Sequence, residues 1–427
     1  MTPTQRLRRA ALATVPLLAI AAPALAEDTL NAADTAWMLT ASLLVLLMTL
    51  PGLALFYGGL VRTKNVLSVL MQCLISAGIM SVVWILVGYS LAFSGDGAWI
   101  GNLDKALLNG VTVDSLWGTI PEYVFIMFQG MFAIITPALM IGAFAERMRF
   151  GPYVAFIVVW LLVVYAPLAH MVWGGGFMAE HGAIDFAGGL VVHMSSGWSA
   201  LVAAIFLGPR MGYGREPIHP HNLVLTVIGA CLLWVGWFGF NAGSELAADS
   251  VAGLAFITTH TATATAVVVW TAIEWLHLGK PTVLGAATAA VAGLVGITPA
   301  CASVTPVGAI GVGATVAIVC YVSVAFLKPR FGYDDSLDVF GVHGVGGMWG
   351  AVATAIFIAD VTDAGYMGQI VIQLESIAFT AVFSIVATLA ILFVLRLAFG
   401  SLRVSEDAEA AGLDLSEHSE TAYDRAI

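Results

Sequence analysis

Beyond about residue 30 the chain is a succession of long apolar stretches, each followed by a short polar or charged segment. A helix needs about 20 apolar residues to cross roughly 30 Å of hydrocarbon at about 1.5 Å per residue. Eleven stretches approach that length, at about 34–58, 66–94, 121–145, 152–173, 190–208, 222–242, 251–276, 282–299, 307–327, 338–358 and 366–398. The pattern predicts an all-α polytopic membrane protein with eleven transmembrane helices. Composition agrees, since 60% of the 427 residues are hydrophobic and only 10% are charged, far from the usage of a soluble domain.

Charge orients the helices. Arg62 and Lys64, Arg147 and Arg149, Arg210 and Arg215, Lys280, Lys328 and Arg330, then Arg396, Arg403 and Arg425 all follow odd-numbered stretches. Lys105 alone falls on the other side. The positive-inside rule then places the N-terminus outside and the C-terminus inside. Ahead of the first stretch, Arg6, Arg8 and Arg9 precede a short apolar run ending in Ala24-Leu25-Ala26, which reads as a cleaved signal peptide over residues 1–26. The expected division is that signal peptide, a transmembrane domain over 27–400 and a cytosolic tail over 401–427, in an inner-membrane protein. The net charge of −11 is concentrated toward the tail, which holds seven of the 27 acidic residues. Its charge density suits a solvated, disordered end. Cys73, Cys231, Cys301 and Cys320 show no CxxC spacing, so no metal site or disulfide framework is indicated.

Two apolar stretches carry an Asp and then a His: Asp185 with His193 in the fifth, Asp338 with His343 in the tenth. Five is odd, so two five-helix halves, about 34–208 and 222–358, would cross the membrane in opposite senses, with helix eleven (about 366–398) outside the repeat. Inverted repeats of this kind place sites near the midplane. The two rings would meet there from opposite sides. One membrane histidine is often a packing contact, but intramembrane ionisable groups are costly and usually line a substrate route or proton relay. Two imidazoles can share a hydrogen bond and keep a donor or acceptor free on each outer edge. In an apolar lumen both should stay neutral. Asp338 is expected to cap its helix, and Asp185 either to cap the fifth helix or to add negative potential near the entrance. His219 and His221 read as solvated loop residues, and Glu375 is deep enough in helix eleven to need a partner.

The stretches MFAIITPALMIGAFAERMRF, AHMVWGGG, GAIDFAGGLVVH, GWFGFNAGS and DVFGVHGVGG together resemble the Amt/Mep/Rh ammonium transporters, most closely the bacterial Amt branch, from about Asp34 through the tail. The resemblance implies a homotrimer of eleven-helix subunits, each with a hydrophobic pore lined by His193 and His343. It implies an outer recruitment site for ammonium (methylammonium as analogue) at Trp173, Ser244 and Phe132, a gate of stacked Phe132 and Phe240, and a structural role for Asp185 close by. An indole face can hold a small cation, and stacked phenyl rings exclude hydrated ions. Phe128 and Trp237 are second-tier candidates near the gate, while Phe238 reads as ordinary packing. The resemblance also implies block from the cytosolic side by a PII signalling protein reading an ordered tail, in which Ser419 stands where the family pattern has Gly. No enzyme is expected, as HExxH, GxSxG and a third metal ligand are missing, and neither a cofactor nor a nucleic-acid partner is expected. The alternatives are a transporter-like ammonium sensor acting through the tail, or a channel for another small neutral molecule such as CO2.

Overall fold

The computed structural model describes residues 29–423; the signal-peptide expectation for 1–26 lies outside them. Among the described residues ten helices are long and apolar enough to cross a membrane: α1 (Ala32–Leu60), α2 (Thr63–Phe93), α3 (Glu122–Phe144), α4 (Phe150–Glu180), α5 (Gly189–Leu207), α6 (Leu223–Glu245), α7 (Ser250–Leu278), α9 (Pro306–Phe331), α10 (Phe340–Phe357) and α11 (Gly365–Phe399). The remaining expected span, about 282–299, is the shorter helix α8 (Val283–Ile297). Its 15 residues rise only about 22 Å. Thr298 is still helical, with φ −50° and ψ −49°, but Pro299 after it has no N–H to continue the ladder, and a series of turns follows to Val304. One end of α8 shares a cavity with the segment after α5 (Arg210, Pro220). At its other end Pro299 O accepts the Phe186 N–H, just before α5.

Helix α11 is held by a polar stripe. Gln369, Gln373, Ser376, Thr380, Ser384 and Thr388 are all buried along one face. Gln373 accepts from Ile184 N at 2.9 Å and donates to Ile184 O at 2.8 Å and Ala351 O at 3.1 Å. Thr388 donates to Ser199 at 2.8 Å. Such bonds fasten helices where hydrocarbon supplies no hydrophobic drive between them. Glu375, on the opposite face, is not deep: its side chain is 58% exposed and lies 2.6 Å from His181 Nε2. It sits near the start of α11, where the helix meets the α4–α5 connection.

Three of the arginines that follow odd-numbered stretches, Arg62, Arg147 and Arg210, converge in one belt with two buried carboxylates. Glu146 binds Arg62 at 2.6 Å and Arg210 at 3.4 Å, and Asp334 binds Arg210 at 2.9 Å and Arg147 at 2.7 Å. The lone Lys105 also has partners, the Glu122 carboxylate and the faces of Tyr89 and Trp117 at 5.8 and 5.9 Å.

The tail is ordered, against the expectation from its charge. Two short helices, α12 (Glu406–Ala411) and α13 (Leu413–His418), dock on the start of α2. Asn65 accepts from Leu413 N at 2.8 Å, and Asp414 accepts from Ser68 N at 2.8 Å. Glu409 is buried between Met211 N (2.6 Å) and the Arg403 guanidinium (2.6 Å). Acidic side chains are here consumed one by one by backbone donors and an arginine, so charge density does not keep the segment in solvent. Ser419 closes α13 with φ of 58°, the conformation in which glycine is less strained. His221 is tethered too, with Nδ1 at 3.1 Å from Val61 O and Nε2 at 3.1 Å from the Tyr423 hydroxyl; His219 stays exposed.

Candidate functional site

The site begins where α5 and α10 begin. Asp185 accepts the N–H groups of Gly188 (3.0 Å), Leu190 (2.8 Å), Val191 (3.1 Å) and Gly189. One carboxylate thereby satisfies most of the free donors of the α5 terminus. Burial pushes this carboxyl above its ordinary pKa, while the four N–H groups pull it back. At α10 the expected cap is displaced. Asp338 takes a left-handed conformation, φ 57°, which turns its side chain to Lys328 at 2.5 Å. Asp335 instead accepts the Phe340 N–H at 2.7 Å.

Both helices then open with a wide π-type turn, Gly189–Met194 and Phe340–Gly344, and each turn carries its histidine. Turns of this kind inside helices often mark functional sites. Glycines let the two helices cross backbone to backbone. A Cβ on Gly197 would lie 2.2 Å from Gly344 N, and one on Gly347 would lie 3.0 Å from Met194 N. The two contacts are related to each other by the 150-residue offset that separates the histidines, which carries Gly197 to Gly347 and Met194 to Gly344. The crossing brings His193 Nδ1 to 3.2 Å from His343 Nδ1, with the residues 1% and 4% exposed. Such a contact requires one nitrogen to donate and the other to accept, so the pair shares a single proton between its facing atoms. His193 Nε2 has no partner among the described residues.

Aromatic rings continue from this pair. Trp237 lies against His193 with centroids 5.2 Å apart and planes at 23°. Phe240 follows at 5.8 Å and stacks on Phe132 at 4.2 Å and 22°. Phe132 meets the edge of Phe128 at 5.1 Å and of Trp173 at 5.9 Å. Trp173 is fixed by donating from Nε1 to Asp185 O at 2.8 Å. The Ser244 hydroxyl donates to Phe240 O at 2.8 Å, which leaves its lone pairs as acceptors. On the far side of the histidines a cavity of about 300 Å³ is lined by His343, Tyr57, Trp270, Glu274, Asp338 and Arg210. The sequence candidates Trp173, Ser244, Phe132, Phe240, His193 and His343 therefore form one line of contacts. Phe128 and Trp237 join it, whereas Phe238 stacks on Phe256 of α7 at 4.0 Å.

Residues 36–423 match the model of the Ammonium Transporter Family. The chain belongs to this family of ammonium transporters. An ammonium transporter of Bacillus subtilis is 50% identical over 400 residues, covering 91% of this chain and 98% of the relative. One from Aquifex aeolicus is 46% identical, covering 93% and 95%. Among solved structures, Candida albicans Mep2 superposes with a TM-score of 0.83 at 37% identity, covering 89% and 88%. A protein described as Sensor Amt Protein superposes with a TM-score of 0.86 at 31% identity, covering 90% and 98%. Family membership makes this a multi-pass membrane transport protein, and the relatives are transporters rather than enzymes. In this transporter Trp237, a second-tier candidate from its place in GWFGFNAGS, packs on His193. It precedes Phe240 by three positions and so shares a helical face with it.

Proposed function

We propose that the chain carries ammonium across the cytoplasmic membrane through a pore running from Trp173 and Ser244, between Phe132 and Phe240, past His193 and His343, into the cavity beneath. The observation that carries this reading is the 3.2 Å contact of the two histidines directly behind the stacked phenyl pair. At the mouth, the indole face of Trp173 and the lone pairs of Ser244 suit a small cation with N–H donors. The Phe132–Phe240 stack leaves no room for a hydrated ion. Behind it the imidazole pair, buried and short of charge, offers Nε2 of His193 to a small polar molecule in place of water.

Eleven crossings, with the N-terminus outside, are the topology we assign. The support is that α8 joins the segment after α5 at one end and the segment before α5 at the other, so that its turns to Val304 complete the crossing. The arginine belt marks the cytosolic side by the positive-inside rule. Packing of the chain into a homotrimer is supported by His260, an exposed polar residue well inside the span of α7 beside Trp234 (5.4 Å) and Phe238 (6.3 Å). Lipid would leave it unsatisfied. The docked tail offers a cytosolic partner of the PII class a fixed surface; pull-down of a cognate PII protein should be lost on truncation after Arg403.

The decisive measurement is current from purified protein in supported bilayers after an ammonium pulse, with and without His343→Asp. A carboxylate in the dry pore attracts bare cations, so the variant should lose discrimination between ammonium and potassium. Unchanged discrimination in a normally folded variant would return the pair to helix packing. The likeness to a sensor-type Amt protein favours a second role in reporting ammonium through the tail, compatible with transport.

A further inference from the structure

The structure assigns a positioning role to Thr298, acting through Trp237 on the His193 ring. This inference rests on the pore reading above and deepens it. Thr298 stands at the point where α8 stops, and its hydroxyl donates to Leu294 O at 2.7 Å. With its proton committed there, the oxygen accepts the Trp237 Nε1–H at 2.9 Å. Trp237 is 1% exposed and lies nearly flat on His193.

His193 needs such a support. Among the described residues its only side-chain hydrogen bond is the one to His343. That bond leaves the ring free to swing about the Nδ1 contact unless something lies against its face. The indole does so, and the indole is fixed by one hydrogen bond. The same turn steadies the backbone on either side of the pair. Pro299 fills the space above Gly189, where a Cβ would come within 2.6 Å of its ring, and Gly350 packs against Gly296 O, where a Cβ would also come within 2.6 Å. The end of α8 thus touches both histidine-bearing helices and, through Trp237, one of the imidazoles themselves. A pore that conducts by exact placement of an imidazole depends on residues that never touch the cargo.

Thr298→Val keeps shape and removes the acceptor, which leaves a buried indole N–H unpaired in a dry interior. The test is methylammonium transport by the full-length protein in proteoliposomes, with potassium as competitor. Thr298→Val should lower maximal flux by about threefold or more while half-saturation stays within about twofold, since recruitment lies beyond the gate. Thr298→Ser should recover most of the flux. Trp237→Phe, which keeps a ring and lacks the N–H, should reproduce the loss, and the double variant should be no worse than either single one. Trp237→Phe alone decides the matter if Thr298→Val does not fold, since wild-type flux in it overturns the assignment. Wild-type flux in Thr298→Val, a loss equal in Thr298→Ser, or additive losses in the double variant each overturn the assignment. His193→Ala is measured alongside: if it changes flux or selectivity and Thr298→Val does not, only the positioning role fails, whereas indifference of both removes the pore reading as well.

Discussion

At the scale of single residues, Ser244 and Trp173 hold the outer end of the aromatic line in complementary ways. Ser244 has spent its proton on Phe240 O and can only accept; Trp173 has spent its N–H on Asp185 O and presents its ring. Both therefore suit a cation with N–H groups and neither suits an anion. Ser244→Ala or Trp173→Ala should raise the half-saturating ammonium concentration several-fold, from a contact worth about 1 kcal/mol, with little change in maximal flux. Initial-rate uptake over a concentration series separates the two parameters, and an unshifted curve for both variants would end the recruitment assignment. The sequence offered these two residues because they sit in long motifs. Asp338 misled for a physical reason. An Asp just before an apolar helix is a good capping candidate, but Asp335, three residues earlier, reaches the same terminus and takes the place, while Lys328 draws Asp338 away.

At the scale of elements, the crossing of α5 and α10 decides whether the histidines meet at all. A methyl on Gly197 would fall 2.2 and 2.3 Å from backbone atoms of Gly344, which cannot rotate aside as a side chain could. Gly197→Ala should therefore force the helices apart, costing roughly 1–3 kcal/mol and most of the transport. Gly78→Ala in α2, where no neighbour lies within 4 Å, is the matched control and should be nearly silent. Thermal unfolding in detergent and flux in proteoliposomes measure both, and equal behaviour of the two variants would contradict the close crossing. Helix positions were readable from hydrophobic length to within a few residues. The shortness of α8 was less so, because the apolar run continues past Ile297 through residues that adopt turns, and hydropathy does not separate the two.

At the scale of the whole molecule, the buried belt of Glu146, Asp334, Arg62, Arg147 and Arg210 ties the α1–α2, α3–α4, α5–α6 and α9–α10 connections together. Burial alone would raise both carboxyls. For Glu146 the charges of Arg210 and Arg62 outweigh it, and for Asp334 the hydrogen bonds and charges of Arg210 and Arg147 do, so both lie below their ordinary values. A carboxyl depressed in the folded state contributes stability that is complete above its unfolded value, about 4, and is lost as pH falls through the folded value. Detergent-solubilised protein should therefore hold its stability from pH 7 to about 5 and lose it steeply below about 4. Asp334→Asn should be less stable at pH 7, since it leaves two buried guanidinium groups short of a counter-charge, and should lose less on acidification. An acid limb identical to that of the unaltered protein would show that the belt is not what titrates.

What the sequence by itself determined is what depends on neighbours along the chain: apolar length, the spacing of the arginines, and the motifs that hold the two histidines and the stacked phenyl pair. What only the tertiary structure decided is which distant groups satisfy each other. His181 finds Glu375 across 194 residues, His221 finds Tyr423 across 202 and Lys64 finds the Ala410 carbonyl across 346, and the Trp237 N–H finds the Thr298 hydroxyl 61 residues on. A buried donor must find an acceptor somewhere, but no local pattern says where. The ordered tail is the largest instance: its composition reads as solvated, and the partners that hold Glu409 and Asp414 belong to Met211, Arg403 and Ser68.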